Sequence, residues 1–164
     1  MPNIFPQPEL RQLLADVEAA FGDVRLGAGV SLHQARAIDD HWVEQSDVAD
    51  LRSKDPEERW QDITDEKLDR FSDTLAFMDA EGFRFHLPRF IVYSLTHADD
   101  ATSSWAEDAP IYYCMGKDEL GRYSLLSPEQ RRVVARFLRF VAAHDAYFAD
   151  EASQALKEFW AQYA

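Results

Sequence analysis

Five histidines and one cysteine are the groups best suited to chemistry in this 164-residue chain, and their spacing decides what chemistry is open to them. His33, Asp40 and Glu44 recur at helical spacing, and His41 with Glu44 forms an i, i+3 pair. Such a set could give a divalent ion two or three ligands. The same residues also describe the wet face of an amphipathic helix, with Arg36 and Asp40 as an ordinary i, i+4 ion pair. We take the wet face and expect no metal site. Cys114 sits between Tyr113 and Met115 in an apolar run, which suits a buried structural thiol better than a nucleophile. No phosphate loop, dinucleotide fingerprint, nucleophile elbow or His-Glu-x-x-His helix occurs in the sequence. No catalytic set and no cofactor are therefore expected.

The segment 82–93 is the best place for a ligand pocket. Arg84, His86, Arg89 and Tyr93 lie there among aromatic residues and beside Pro88. A chain break at the proline would free backbone N–H groups at a helix start, and such a start attracts anions. Arg89 and Tyr93, one turn apart, could line one pocket, and His86 near Asp62 or Glu81 could move a proton. The competing reading takes the arginines as partners for carboxylates and the aromatics as core. The second candidate is an interface made by Asp99, Asp100, Trp105, Glu107 and Asp108. A tryptophan exposed among carboxylates resembles an interaction hot spot. A tryptophan folded back onto the core is the competing reading.

Charge narrows the classes of function. Thirty acidic residues against 17 basic give a net charge of −13. Residues 37–69 hold 12 acidic and 4 basic side chains, and residues 99–120 hold six and one. Residues 121–140 reverse the sign with five arginines against Glu129. This pattern disfavours nucleic acid and anionic membranes and suits a basic protein partner. No apolar run nears the roughly 18 residues of a membrane span, and the first residues lack the basic and apolar regions of a signal peptide. With a single cysteine no internal disulfide can form, which fits a cytoplasmic protein.

The elements that position these groups are mostly helical. Leu10, Leu13, Leu14, Val17 and Phe21 predict a first helix over 8–21. Ser31 with Gln34 opens a second helix, and residues 44–54 read as a loop. Thr64 caps a helix carrying Leu68, Phe71, Leu75 and Met78, and Asp79 caps the segment that runs to about His97. Pro88 predicts a kink or a fresh start within it. Residues 98–110 read as a loop. Ile111 to Met115 is the one good strand candidate, with Tyr123 to Leu126 as its partner. Ser127-Pro128-Glu129-Gln130 is the strongest helix start, and a last helix spans about 147–163. The fold class is mainly α: a single-domain helical bundle of about six helices over residues 1–164, with room for one short β-hairpin near 111–126.

Three pieces of the chain together carry a resemblance. They are Trp60-x-Asp62-Ile63, Gly82-Phe83-Arg84-Phe85-His86-Leu87-Pro88, and Leu125-Leu126-Ser127-Pro128-Glu129-Gln130 leading to Phe137-Leu138. In that order they resemble a family of small bacterial proteins defined only as a domain of unknown function. The resemblance runs from the first helix to the last and implies a bacterial, cytoplasmic, mostly helical protein without assigning an activity. Residues and charge favour a non-enzymatic acidic protein that engages a basic protein partner through its carboxylate-rich segments. The alternative is a small-ligand binder or small enzyme with an anion pocket around 82–93.

Overall fold

The computed structural model describes residues 3–41, 47–98 and 105–164. These residues form eight α-helices and three 3-10 turns, with no strand among them. The helices are α1 (Gln7–Phe21), α2 (Leu32–Asp39), α3 (Val48–Ser53), α4 (Asp65–Arg70), α5 (Ala80–His97), α6 (Trp105–Tyr112), α7 (Pro128–His144) and α8 (Ala149–Glu158). The 3-10 turns are Trp60–Asp62, Thr74–Phe77 and Trp160–Tyr163. The protein is a mainly α single domain, and α3 occupies part of the stretch that the sequence reads as a loop.

Helix α5 is the axis of the fold. Asp79 caps it by accepting from the Gly82 N–H at 2.8 Å, and the same oxygen accepts from the Val30 N–H at 3.0 Å. The chain before α2 thus lies across the first turn of α5. Only glycine allows that approach, because a Cβ on Gly82 would stand 2.5 Å from the Val30 carbonyl oxygen. From Phe83 to Leu95 the helix is buried on nearly every side, including Phe83, Phe85, Leu87, Phe90, Ile91 and Leu95. A helix apolar all round belongs in the middle of a core. It packs against α1 on one side and α6 on another.

Pro88 does not break α5. A proline inside a helix costs roughly 3 kcal/mol, whereas each fully buried Phe, Leu or Ile returns roughly 1.5–3 kcal/mol. Six such residues flank Pro88 in the same helix, so burial wins and the helix runs through. The expected helix start at residue 88, with its free N–H groups, therefore does not form.

Helix α7 begins with a complete capping box. The Ser127 N–H donates to Gln130 Oε1 at 3.0 Å, and the Gln130 N–H donates to Ser127 Oγ at 3.1 Å. Gln130 is buried, and its side-chain amide also donates to the Ala20 carbonyl, which fastens α7 to the end of α1. Val133, Val134, Phe137, Leu138 and Val141 fill the space toward α1 and α8. Trp160, fully buried, closes the bottom of this core beside Tyr123 and Phe159, with ring centroids 4.8 and 4.9 Å away.

The short hairpin for which the sequence left room near 111–126 does not form. Glu107, Pro110, Ile111 and Cys114 are all buried, and their spacing is that of a helix face. The chain leaves α6 through Gly116 and Gly121, both with positive φ, and Tyr123 to Leu126 form a turn. The backbone groups that a ladder would need have other partners: the Tyr113 carbonyl accepts from the Tyr123 hydroxyl at 3.0 Å, and the Cys114 carbonyl from the Trp160 indole at 2.7 Å. Tertiary packing overrides the strand propensity of the Ile-Tyr-Tyr run.

Candidate functional site

The four residues singled out in 82–93 do not converge. Arg84 points toward the 121–126 turn, its Nη1 reaching the Leu125 carbonyl at 3.5 Å. His86 lies inside the fold, and its Nδ1 is 2.7 Å from the Gly82 carbonyl one turn back. Burial pushes its pKa down to about 4, only partly opposed by the Gly82 hydrogen bond, so the ring is neutral near pH 7. Arg89 and Tyr93 do share a face, and both turn to α4. Arg89 Nε donates to the Ile63 carbonyl at 2.8 Å and its Nη2 pairs with Asp65, while the Tyr93 hydroxyl donates to Asp69 at 2.7 Å. The i, i+4 pair on α5 thus meets the i, i+4 pair Asp65 and Asp69 on α4, forming two rungs between the helices.

A cleft of about 480 Å³ opens beside the upper rung, lined by Trp60, Gln61, Asp65, Arg89, Thr96 and His97 among others. His97 stacks on Tyr93 at 4.0 Å between centroids, and its Nε2 is 3.3 Å from Asp65. Asp65 is therefore shared between a guanidinium and an imidazole. The positive group that an anion would seek here is already held by the protein's own carboxylate.

The loop between α3 and α4 is pinned from beneath in the same way. Asp55, 5% exposed, accepts from the His33 N–H at 2.8 Å, lies 2.8 Å from His33 Nδ1 and pairs with Lys67 at 2.8 Å. Lys67 also pairs with Glu57 at 2.7 Å. Burial tends to raise the Asp55 pKa, but hydrogen bonds from Lys67, Ser31 and His33 together outweigh it and hold the carboxyl at about 2. His33 thus belongs to an internal network, Asp40 caps the end of α2, and Glu44 lies outside the described residues. Among the described residues no three His, Cys, Asp or Glu groups converge as a metal ion requires.

The face of α6 is different. Trp105, Asp108, Ala109 and Tyr112 stand at i, i+3, i+4 and i+7, so they line one stripe. With Tyr113, Ser72, Asp73 and Arg36 they enclose a groove of about 640 Å³. Trp105 is 79% exposed and Tyr112 47%, the sharpest contrast with the buried Trp60 and Trp160. On the opposite wall Arg36 forks onto Asp73, at 2.6 and 3.1 Å, and its guanidinium lies 5.7 Å from the centre of the Phe71 ring. Asp108 has no such counterpart: among the described residues no Lys, Arg or His reaches its carboxylate. Burial pushes its pKa up, opposed only by its own backbone N–H.

Of the residues expected at an interface, Trp105 and Asp108 therefore lie on this groove, whereas Glu107 turns inward and is 8% exposed. Asp99 and Asp100 lie outside the described residues. Sequence reasoning missed Tyr112, Tyr113, Arg36 and Asp73. The i, i+3, i+4, i+7 spacing from Trp105 was available as a signal, but Pro110 and the Ser/Ala-rich approach disguised the helix as a loop.

Fold and groove define an acidic all-α domain with an open aromatic–carboxylate face and an internally neutralised centre. The chain belongs to a family described as a family of unknown function (DUF6714), which it matches over residues 9–164. Comparison with curated proteins and with solved structures gave no match. Among the described residues no helix is long and apolar enough to cross a membrane.

Proposed function

We propose that this protein is a non-enzymatic binding module of the bacterial cytoplasm that captures a basic protein partner on the α6 face. The observation that carries this reading is Trp105, a tryptophan 79% exposed on the rim of a groove that also holds Tyr112 and an uncompensated carboxylate. Large aromatic side chains at the centre of a contact supply most of its energy. The net charge of −13 steers basic surfaces toward the protein. A reducing compartment suits the chain, whose one thiol is buried and free. The alternative, a ligand pocket at 82–93, has less in its favour because Arg89, Tyr93 and His86 are each engaged by other groups of the protein.

The test is capture from a bacterial lysate by wild-type protein and by the Trp105→Ala/Tyr112→Ala double variant, eluted in a salt gradient. Basic proteins should elute from the wild type at moderate salt and be missing from the variant. A captured set indifferent to both salt and the two substitutions would overturn the proposal.

A further inference from the structure

We propose that the α6 groove is an arginine-reading site: it takes one arginine side chain of the partner, with the guanidinium on Asp108 and flanked by Trp105 and Tyr112. This rests on the binding-module reading above and says which group of the partner enters the groove.

The argument starts from what Asp108 lacks. A half-buried carboxylate loses part of its hydration, and its raised pKa records that loss. Such a group is normally compensated by a cation or by several N–H donors. Asp73, across the groove, has its compensation in the forked contact from Arg36. Asp108 has no cation among the described residues and only its own backbone N–H, and yet it stands between Trp105 and Tyr112 on one helix stripe, two exposed rings.

The protein itself shows which group satisfies that combination. Arg36 meets a carboxylate, Asp73, and an aromatic ring, Phe71, at the same time. Arg131 also meets an aromatic, its guanidinium 5.3 Å from the centre of the Tyr163 ring with Nη1 donating to the Tyr163 hydroxyl at 2.6 Å, while Nε and Nη2 reach carbonyls. Asp108 with Trp105 and Tyr112 offers the same complement with the guanidinium missing. A planar guanidinium can fork onto a carboxylate and stack on a ring at once, whereas an ammonium is a compact, strongly hydrated charge that does neither as well. Because Arg36 and Asp73 neutralise each other, the groove retains one net negative charge to offer, and one cation satisfies it. Ala109, the small residue between Asp108 and Tyr112 on the stripe, leaves room for the incoming side chain.

The experiment uses three blocked tripeptides, acetyl-Gly-X-Gly-amide, in which X is arginine, lysine or citrulline. Each is titrated into the full chain while the Trp105 indole N–H is followed by NMR. The arginine peptide should give a saturable shift, with citrulline at least ten-fold weaker and lysine at least three-fold weaker. Asp108→Asn should bring arginine down to the citrulline level, and Trp105→Ala should weaken it at least five-fold. Trp105 is largely exposed, so that variant keeps the fold even if the Asp108 variant does not. Equal binding of arginine and citrulline, no saturable shift, or no effect of either substitution would each overturn the inference. Loss of basic-protein capture in the Trp105→Ala/Tyr112→Ala variant without an arginine-peptide shift would reject the arginine site and leave the binding module standing. An arginine-peptide shift with capture unchanged in that variant would do the reverse.

Discussion

The α4–α5 centre and the α6 face use the same side-chain types to opposite ends. At the centre, Arg89 meets Asp65, Lys67 meets Asp55 and Glu57, and Tyr93 meets Asp69, all inside the molecule. At α6 the rings and the carboxylate are set out on one helix stripe, and among the described residues no cation pairs with Asp108. Polar groups closed on themselves hold a fold together, because breaking one partner leaves the other buried and uncompensated. Polar groups left open beside exposed aromatics contribute little to folding and are available to another molecule. The difference teaches that a cluster of arginine, histidine and tyrosine is not a site until its internal partners have been counted.

The comparison can be broken most forcefully at Asp55. Asp55→Ala should destabilise the protein by about 3–4 kcal/mol in urea unfolding, since it strips Lys67 and His33 of a buried carboxylate. A loss below 1 kcal/mol would show that the centre is not held by its pairing. The wild-type carboxyl, at about 2 against an ordinary 3.8, contributes stability that is complete above pH 3.8 and disappears as the pH falls toward 2. Asp55→Ala should flatten that part of the acid profile.

His86 provides a comparable effect at milder pH. Its pKa is about 4 in the fold against an ordinary 6.5, so between those values the unfolded chain binds a proton that the native state refuses. Stability should therefore decline from pH 6.5 to 4 by on the order of 3 kcal/mol. Chemical denaturation at half-unit steps would show the slope, and His86→Leu should remove most of it. A flat profile in the wild type would mean that the buried imidazole takes up its proton without cost.

Arg89→Met should cost about 2 kcal/mol by losing the Ile63 and Asp65 contacts while leaving basic-protein capture unchanged. If capture fell in this variant at wild-type stability, the centre would be a binding site as well. The smallest stability effect should come from Trp105→Ala and Tyr112→Ala, each within about 0.5 kcal/mol of wild type because both rings are exposed. A thermal melt lowered by several degrees would show the α6 face to be part of the core after all.

Much of the helical scaffold was legible from local signals. Ser127-Pro128-Glu129-Gln130 and Asp79 act over three or four residues, through hydrogen bonds to their own first turn, and the structure shows both in place. The apolar stripes of α1 and α7 needed nothing beyond helical spacing to be read. Signals that depend on distant partners were not legible. Pro88 is a helix breaker by its own chemistry, and only the burial of six apolar neighbours in the middle of the fold keeps α5 whole. Ile111-Tyr112-Tyr113 has strand-like composition, and only the core beneath Ile111 and Cys114 makes it the end of a helix.

The candidate sites divide along the same line. Composition alone set the acidic balance and put Trp105 and Asp108 in one segment. Which side chains remained available was decided by tertiary structure. Arg89 could not be known to be engaged until α4 brought Asp65 against it from 24 residues away. Nor could Tyr113, Arg36 and Asp73 be assigned to one groove before α2, α6 and the start of the Thr74–Phe77 turn came together. A sequence determines what each residue can donate, accept or bury within its own turn of helix. The fold decides which of those capacities are satisfied internally, because complementary groups meet only where packing brings their helices together.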